Sequence, residues 1–251
     1  MKKQLLIAAL LFSVTVSAGC QTASSPSGGT LPMSTAASAV GWLAMGSSTS
    51  SVIGSPVGVS SLGIRPLVAS YSFDSDGWLV MTLSQSVSGV GSFAYDIKTE
   101  LTGKTTGAID SAAKLLAFNT THDSLESMFI YSRIACDLTS PEVMSFTVTS
   151  GNSKTDPLKF EHMNSAAQTI TGPAAYSGTY GGVPFSVSLN YGGLSVNSST
   201  KYPSGSVTFS VASGTTAAYS GTITFNGTTT ATIVFSGGGT YTLNLLTGAV
   251  S

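Results

Sequence analysis

Charge is scarce in this chain. Asp, Glu, Lys and Arg make up 8% of its 251 residues, against roughly a quarter in an ordinary soluble domain. From His162 to the C-terminus there is no Asp or Glu, and Lys201 is the single fixed charge. The formal net charge is −1, of which Lys2 and Lys3 contribute +2, so the rest of the chain carries −3. No basic patch exists that could neutralise several phosphates, which argues against nucleic acid as a partner. Histidine occurs twice, at His122 and His162, and cysteine twice, at Cys20 and Cys136. There is no paired-cysteine metal spacing, phosphate loop, dinucleotide fingerprint or Gly-x-Ser-x-Gly elbow. No cofactor and no metal is expected. The paired carboxylates of a glycosidase are impossible beyond Glu161. No apolar run is long enough to form a membrane helix.

Ser, Thr, Gly and Asn replace the missing charge, a composition common in exported β-proteins. Hydrophobic content is 42%, too high for a disordered polyelectrolyte and enough for a substantial core. The N-terminus explains the export. Lys2 and Lys3 are followed by an uncharged, mostly apolar stretch from Leu5 to Val16, then by Ser17-Ala18-Gly19-Cys20. The apolar run is too short to span a bilayer and has the anatomy of a signal peptide. The cysteine directly after Ala-Gly resembles the signal of bacterial lipoproteins. That resemblance covers residues 1–21 and implies cleavage before Cys20, whose thiol takes a diacylglyceryl group. The family pattern has Leu three residues before the cysteine, and here Ser17 holds that place. Val16-Ser17-Ala18 also reads as an ordinary cleavage site, which would leave a plain secreted protein. Gln21 is not the Asp that retains many such lipoproteins at the inner membrane. The resemblance therefore implies an outer-membrane location, with palmitate on the anchor.

The organisation reads as signal 1–19, flexible tether 20–33, a β-rich region 34–171 with short helices, and a Ser/Thr/Gly-rich β-region 172–251. The boundary is placed near Gly172-Pro173. Ser34 to Met45 reads as a short helix with Ala37, Val40, Leu43 and Ala44 on one face, and residues 47–64 as loop. Residues 67–73 and 77–83 read as a hairpin around Asp74-Ser75-Asp76-Gly77. Ser92 to Leu101 alternates strictly, with Phe93, Tyr95, Ile97 and Leu101 on one face. Asp110 is placed to cap a helix through Phe118. The fold class that follows is all-β. Antiparallel sheets form a sandwich or a partly open barrel, with one or two short helices near the N-terminal part. A transmembrane barrel is disfavoured by short strands and Ser/Thr on their outer sides.

Register is legible at the C-terminus. A two-residue Asn226-Gly227 turn would put Ile223 and Phe225 opposite in face to Ala231, Ile233 and Phe235. A three-residue connection, Asn226 to Thr228, pairs Phe225 with Thr229 and makes the faces agree. Likewise Gly237 to Gly239 pairs Phe235 with Tyr241. Ile223, Phe225, Ala231, Ile233, Phe235, Tyr241 and Leu243 then share one buried face.

Few residues offer chemistry. Cys20 is the expected lipidation site. Asp74 and Asp76 resemble a fragment of a calcium loop but lack its later oxygen ligands and bidentate Glu, and fit a hairpin turn. His122 precedes Asp123-Ser124-Leu125-Glu126, which reads as a helix capping box. His162 falls on the apolar face of a strand with Leu158 and Phe160. Cys136, alone once Cys20 is acylated, reads as a small buried hydrophobe. Trp42, Trp78 and the tyrosines could stack on a sugar, although strand aromatics are mostly core. The expectation is a lipid-anchored, non-enzymatic envelope protein with a binding, surface-display or accessory role. Its partners are the membrane and an envelope protein or glycan. The rival readings are a carrier of an apolar ligand, which needs a lined cavity, and a hydrolase of envelope glycans or peptides, which needs a histidine beside a carboxylate in a cleft.

Overall fold

A computed structural model describes residues 31–48, 71–88, 91–138, 144–180, 183–214 and 216–251. The signal, Cys20, the tether to residue 30 and the expected loop from 49 to 64 lie outside them. The chain forms helix α1 (Met33–Ser48), then β1 (Tyr71–Phe73), β2 (Leu79–Val87), β3 (Gly91–Gly103) and β4 (Gly107–Ala108). Helix α2 (Ala112–Thr120) precedes β5 (Leu125–Leu138), β6 (Met144–Ser150), β7 (Leu158–Glu161), β8 (Ala167–Tyr180) and β9 (Val183–Asn197). The last four strands are β10 (Pro203–Ser213), β11 (Thr216–Asn226), β12 (Thr230–Phe235) and β13 (Thr240–Asn244). All thirteen belong to one antiparallel sheet in the order β1-β2-β3-β5-β6-β8-β9-β10-β11-β12-β13. β4 lies on β3, and β7 pairs with β5 and β8. The fold is thus all-β and antiparallel with two helices in its first half.

The core is built on α1. Its Ala36, Ala37, Val40, Gly41, Leu43 and Ala44 are all buried. The helix packs on β8, β9 and β10, yet a Cβ on Gly41 would fall 2.9 Å from Leu243 in β13. Six neighbouring strands laid flat would be about 24 Å wide, whereas a helix with side chains is about 10 Å across. One helix can touch both β8 and β13 only if the sheet curls around it. Small residues on the helix allow that close wrap. Two tyrosines pin it: Tyr191 Oη donates to the Ala44 carbonyl at 3.4 Å, and Tyr219 Oη to the Leu31 carbonyl at 2.7 Å. The helix starts at Met33, one residue earlier than expected, and continues through Ser48, beyond the expected end.

β6 and β7 are one strand interrupted. β6 pairs with the second half of β5 and β7 with its first half, and both then pair with β8. Residues 151–157 loop out between them. Two glycines permit this. Gly151 (φ +74) has the Ile130 carbonyl 2.6 Å from where its Cβ would be, and Gly172 (φ +107) has the Pro157 carbonyl at 2.3 Å. Gly172-Pro173, where composition changes, lies inside β8, and the sheet runs through it.

Several local expectations are corrected. Helix α2 is capped by Ser111, whose Oγ accepts from Lys114 N, while Asp110 pairs with Lys114 Nζ at 2.7 Å. Asp123 to Glu126 begins no helix: it leaves α2 and enters β5. β8 and β9 reach 14 and 15 residues, longer than the alternation showed. The last two hairpins are each shifted by one residue. Phe225 faces Ala231 and Ile223 faces Ile233, so the loop is 227–229. Ile233 faces Tyr241, and the next loop is 236–238. A shift of one residue in both loop ends moves the register by two, which preserves the faces. Ile223, Phe225, Ala231, Ile233, Phe235 and Leu243 are buried, and Tyr241 packs half-buried against them. The expected alternation of β3 also appears: Tyr95, Ile97 and Thr99 are buried, and Phe93 and Leu101 half-buried. Among the described residues of 162–251 there is no helix.

The sheet has two ends. Met33 enters beside Gly239, in the turn after β12, and α1 advances toward Tyr191. At this entry end, Asp137 is the nearest charged residue among those described. At the far end lie α2 and the turns 74–77, 104–106, 162–166, 198–202, 227–229 and 245–249, with Asp74, Asp76, Lys104, Asp110, Lys114, Asp123, Glu126, Glu161 and Lys201.

Two substitutions probe this packing. Phe225→Ala empties part of the buried core and should cost about 3–5 kcal/mol in chemical denaturation; a change under about 0.5 kcal/mol would mean an exposed side chain. At Gly221 a Cβ would lie 2.0 Å from the Val234 carbonyl and 2.6 Å from Phe209. Gly221→Ala should therefore destabilise by at least about 2 kcal/mol, a result that unobstructed space at this strand would not give.

Candidate functional site

Asp74 and Asp76 occupy the β1–β2 turn as a self-capped loop. Asp74 Oδ1 accepts from Asp76 N and Trp78 N, both at 3.0 Å. Lys154, at the tip of the 151–157 excursion, pairs with Asp74 at 2.5 Å and with Asp76 at 2.7 Å. It also lies 6.0 Å from the centroid of the Trp78 ring. The excursion thereby reaches from between β5 and β8 across β3 to the β1–β2 turn. Partial burial pulls the Asp74 carboxyl up, but the Lys154 ammonium and the two N–H groups outweigh it and hold the acid below its ordinary range. The same carboxylates raise the Lys154 ammonium. One ammonium shared by two carboxylates is a latch between two loops. Trp78, considered above for sugar stacking, is buried beneath it.

His122 closes α2. His122 N donates to the Asn119 carbonyl and Asp123 N to the Phe118 carbonyl at 3.1 Å, and His122 has φ +53. This is the Schellman pattern, whose left-handed position usually holds glycine. Asp123 is committed elsewhere. Its carboxylate accepts from Thr105 N at 2.9 Å, Thr106 N at 2.7 Å and Ser124 N at 2.8 Å. Desolvation works against the charge, but the N–H groups of Thr106 and Thr105 prevail and hold this acid far below the usual range. His162 is not on the strand face expected for it. It lies just past β7, exposed, with φ +58, and its carbonyl accepts from Ser165. The left-handed turn rotates it out of the strand's alternation.

Three turns meet at the far end. Met163 N donates to the Glu126 carbonyl at 2.9 Å, joining the β7–β8 turn to the start of β5 just after His122. Ser198 N donates to the Ala166 carbonyl at 2.9 Å, joining the same turn to the β9–β10 turn. The latter holds Lys201, with φ +64. These three are the non-glycine residues of positive φ among those described, and all are exposed. Sequence reading named His122 and His162 singly but missed Lys201. Its isolation in an otherwise uncharged third of the chain was the available signal.

A shallow groove of about 380 Å³ also crosses β2, β3 and β5, lined by Thr82, Leu83, Ser84, Ala94, Tyr95, Asp96 and Arg133. It is a dip where the small side chains of Ser84, Ala94 and Ala135 stand opposite one another. Cys136 is buried, and burial followed by the neighbouring Asp137 pushes its thiol up, which makes it a poor nucleophile. Among the described residues no group of three His, Cys, Asp or Glu is placed to hold a metal, and no helix is long and apolar enough to cross a membrane.

Comparison with protein-family models, with curated proteins and with solved structures found no match to this chain.

The latch has a definite pH signature. The folded Asp74 acid lies below its unfolded value, so its stabilisation is complete above about pH 4. It disappears as pH falls through the folded value. Lys154→Met should lower the melting temperature at pH 7, and the gap to the wild type should close as the solution is acidified toward pH 2. A gap independent of pH would mean that Lys154 acts through packing alone.

Proposed function

We propose that this protein is a lipid-anchored envelope protein that binds a partner, rather than an enzyme or a carrier. The observation that carries the reading is the position of the chain's entry into the fold. Leu31 is buried and held by Tyr219 at one end of the sheet, and residues 21–30 are all that separate it from Cys20. A ten-residue tether reaches at most about 35 Å. Anchored through Cys20, the body would stand close to the membrane with its nearly uncharged entry end inward and its charged far end outward.

The rivals find less support. A carrier of an apolar ligand needs space inside the curl of the sheet, and α1 occupies it. A hydrolase needs a histidine beside an available carboxylate. Asp123, next to His122, is committed to backbone N–H groups, and His162 makes no ion pair among the described residues.

The anchor is tested directly. Radiolabelled palmitate should mark the wild type and be absent from Cys20→Ala, which should be recovered in the soluble fraction. Equal membrane retention of both proteins would overturn the anchor.

A further inference from the structure

Six buried apolar residues stand apart from the main core: Trp78, Leu79, Ile109, Leu115, Met128 and Ile130. They gather at the far end of the sheet. Leu79, Thr99 and Ile130 are cross-strand neighbours on β2, β3 and β5, and Met128 faces Leu101, whose carbonyl accepts from Ile109 N. Leu115 comes from α2. The edge of this smaller core is held lightly. β1 ends the sheet, and it pairs with β2 over Tyr71, Ser72 and Phe73 alone. The opposite edge is better secured, because Leu243 of β13 sits in the main core and Thr242 exchanges two backbone bonds with Ser251.

The 151–157 loop supplies the missing hold. It is bonded largely to itself. Asn152 N donates to the Asp156 carbonyl, Asp156 N to the Ser153 carbonyl and Oγ, and Asn152 Nδ2 to the Asp156 carboxylate at 2.7 Å. Its base is fixed to the sheet by Gly151 N and the Pro173 carbonyl at 2.8 Å. Among the described residues, the bonds that join this loop to the β1–β2 turn are those of Lys154 to Asp74 and Asp76, with the ammonium 6.0 Å from the Trp78 ring centroid. The Lys154 and Asp74 side chains are 27% and 24% exposed, so salt screens their pairing less than that of a fully solvated pair.

We propose that the 151–157 loop is the catch of a separately opening part of the fold: when Lys154 releases Asp74 and Asp76, the β1–β2 hairpin leaves the smaller core and Trp78 becomes accessible, while the core around α1 stays closed. Proteins open in cooperative units whose free energies range from near zero to that of global unfolding. The unit here consists of a three-residue edge strand, a core of its own and one ammonium as the tie. The charged groups around the catch are Asp74 and Asp76 from the turn and Asp156 on the loop, which accepts from Asn152. Asp110 lies beside Gly77 and is paired with Lys114. Asp74 titrates below its ordinary range and Lys154 above its own. The catch is therefore complete between about pH 4 and pH 10. It is lost as pH falls through the folded value of Asp74 or rises through that of Lys154.

This opening depends neither on the lipid anchor nor on a bound partner. Native-state hydrogen exchange on the full chain at pH 7 tests it. Amides of Trp78 to Met81 should open at lower free energy than those of Val187 to Tyr191 in β9. Lys154→Met should speed exchange in the hairpin about threefold or more and leave β9 unchanged. Lys98→Met, on the outward face, should change neither. In a Trp42→Phe background Trp78 is the one tryptophan. Acrylamide should quench it increasingly as the pH falls below about 4, before circular dichroism reports loss of the sheet. With Lys154→Met added, the quenching should be raised already at pH 7. The catch is overturned if hairpin and β9 amides open together, if Lys154→Met speeds both equally or neither, or if Trp78 becomes quenchable only as the sheet melts. The exchange measurements need no tryptophan replacement, so they decide the matter even where Trp42→Phe fails to fold.

Discussion

A helix whose inner faces carry mostly small side chains, with Val40 and Leu43 as the larger ones, governs this structure. Ala36, Ala37, Gly41 and Ala44 let the sheet from β8 to β13 close around α1, and apolar side chains of those strands fill what the helix leaves open. A helix with leucines at those positions would hold the strands apart and break the contact between Gly41 and Leu243. The price is low intrinsic helix stability, since Gly41 and Gly46 are poor helix formers and a helix of 16 residues is marginal in water by itself. Tertiary contact must stabilise it. Two tyrosine hydroxyls hold this segment to the strands, Tyr191 at Ala44 in the last turns of the helix and Tyr219 at Leu31 just before it.

The same wrap assigns different work to the two ends of the sheet. One end receives the chain and is nearly free of charge among the described residues. The other collects α2, the capped turns and the strained residues. Charge in this protein is used locally and for stated purposes. Asp123 ties the β3–β4 turn to the exit of α2, Asp110 steadies the first turn of α2, and Lys154 latches the interrupted strand to the β1–β2 turn. Each of these groups has partners that explain its presence. His122, His162 and Lys201 instead take part in their turns through the backbone, and their side chains are exposed.

Much of the fold was legible in the sequence because period-two alternation specifies which face is buried. The faces of β3, β11, β12 and β13 were read correctly for that reason. Register was not, since alternation constrains parity alone: a slip of two residues leaves every side chain on its own side. Hydrogen bonding at the loop then selected 227–229 and 236–238. The short alternating runs also understated β8 and β9, whose Gly and Ser residues break the hydrophobic pattern without breaking the ladder. α1 was legible from its small apolar face, but its place inside the sheet was not. Nothing local in a sequence says what a helix packs on.

The candidate site was less legible, and the reason is conformational. His122 read as the start of a helix and occurs at the end of one, because Asp-x-x-Glu fits a capping box wherever it occurs. His162 read as part of a strand face because alternation was extended one residue past the point where φ changes sign. Lys201 had no motif at all. What unites the three is a backbone angle, which leaves no compositional trace when the residue is not glycine. The comparison that makes it visible is within the chain, between two turns of the same hydrogen-bond pattern that end in Lys201 and Gly248. When one protein solves a turn twice and places a cation at the strained position only once, turn geometry cannot be the cause of the difference.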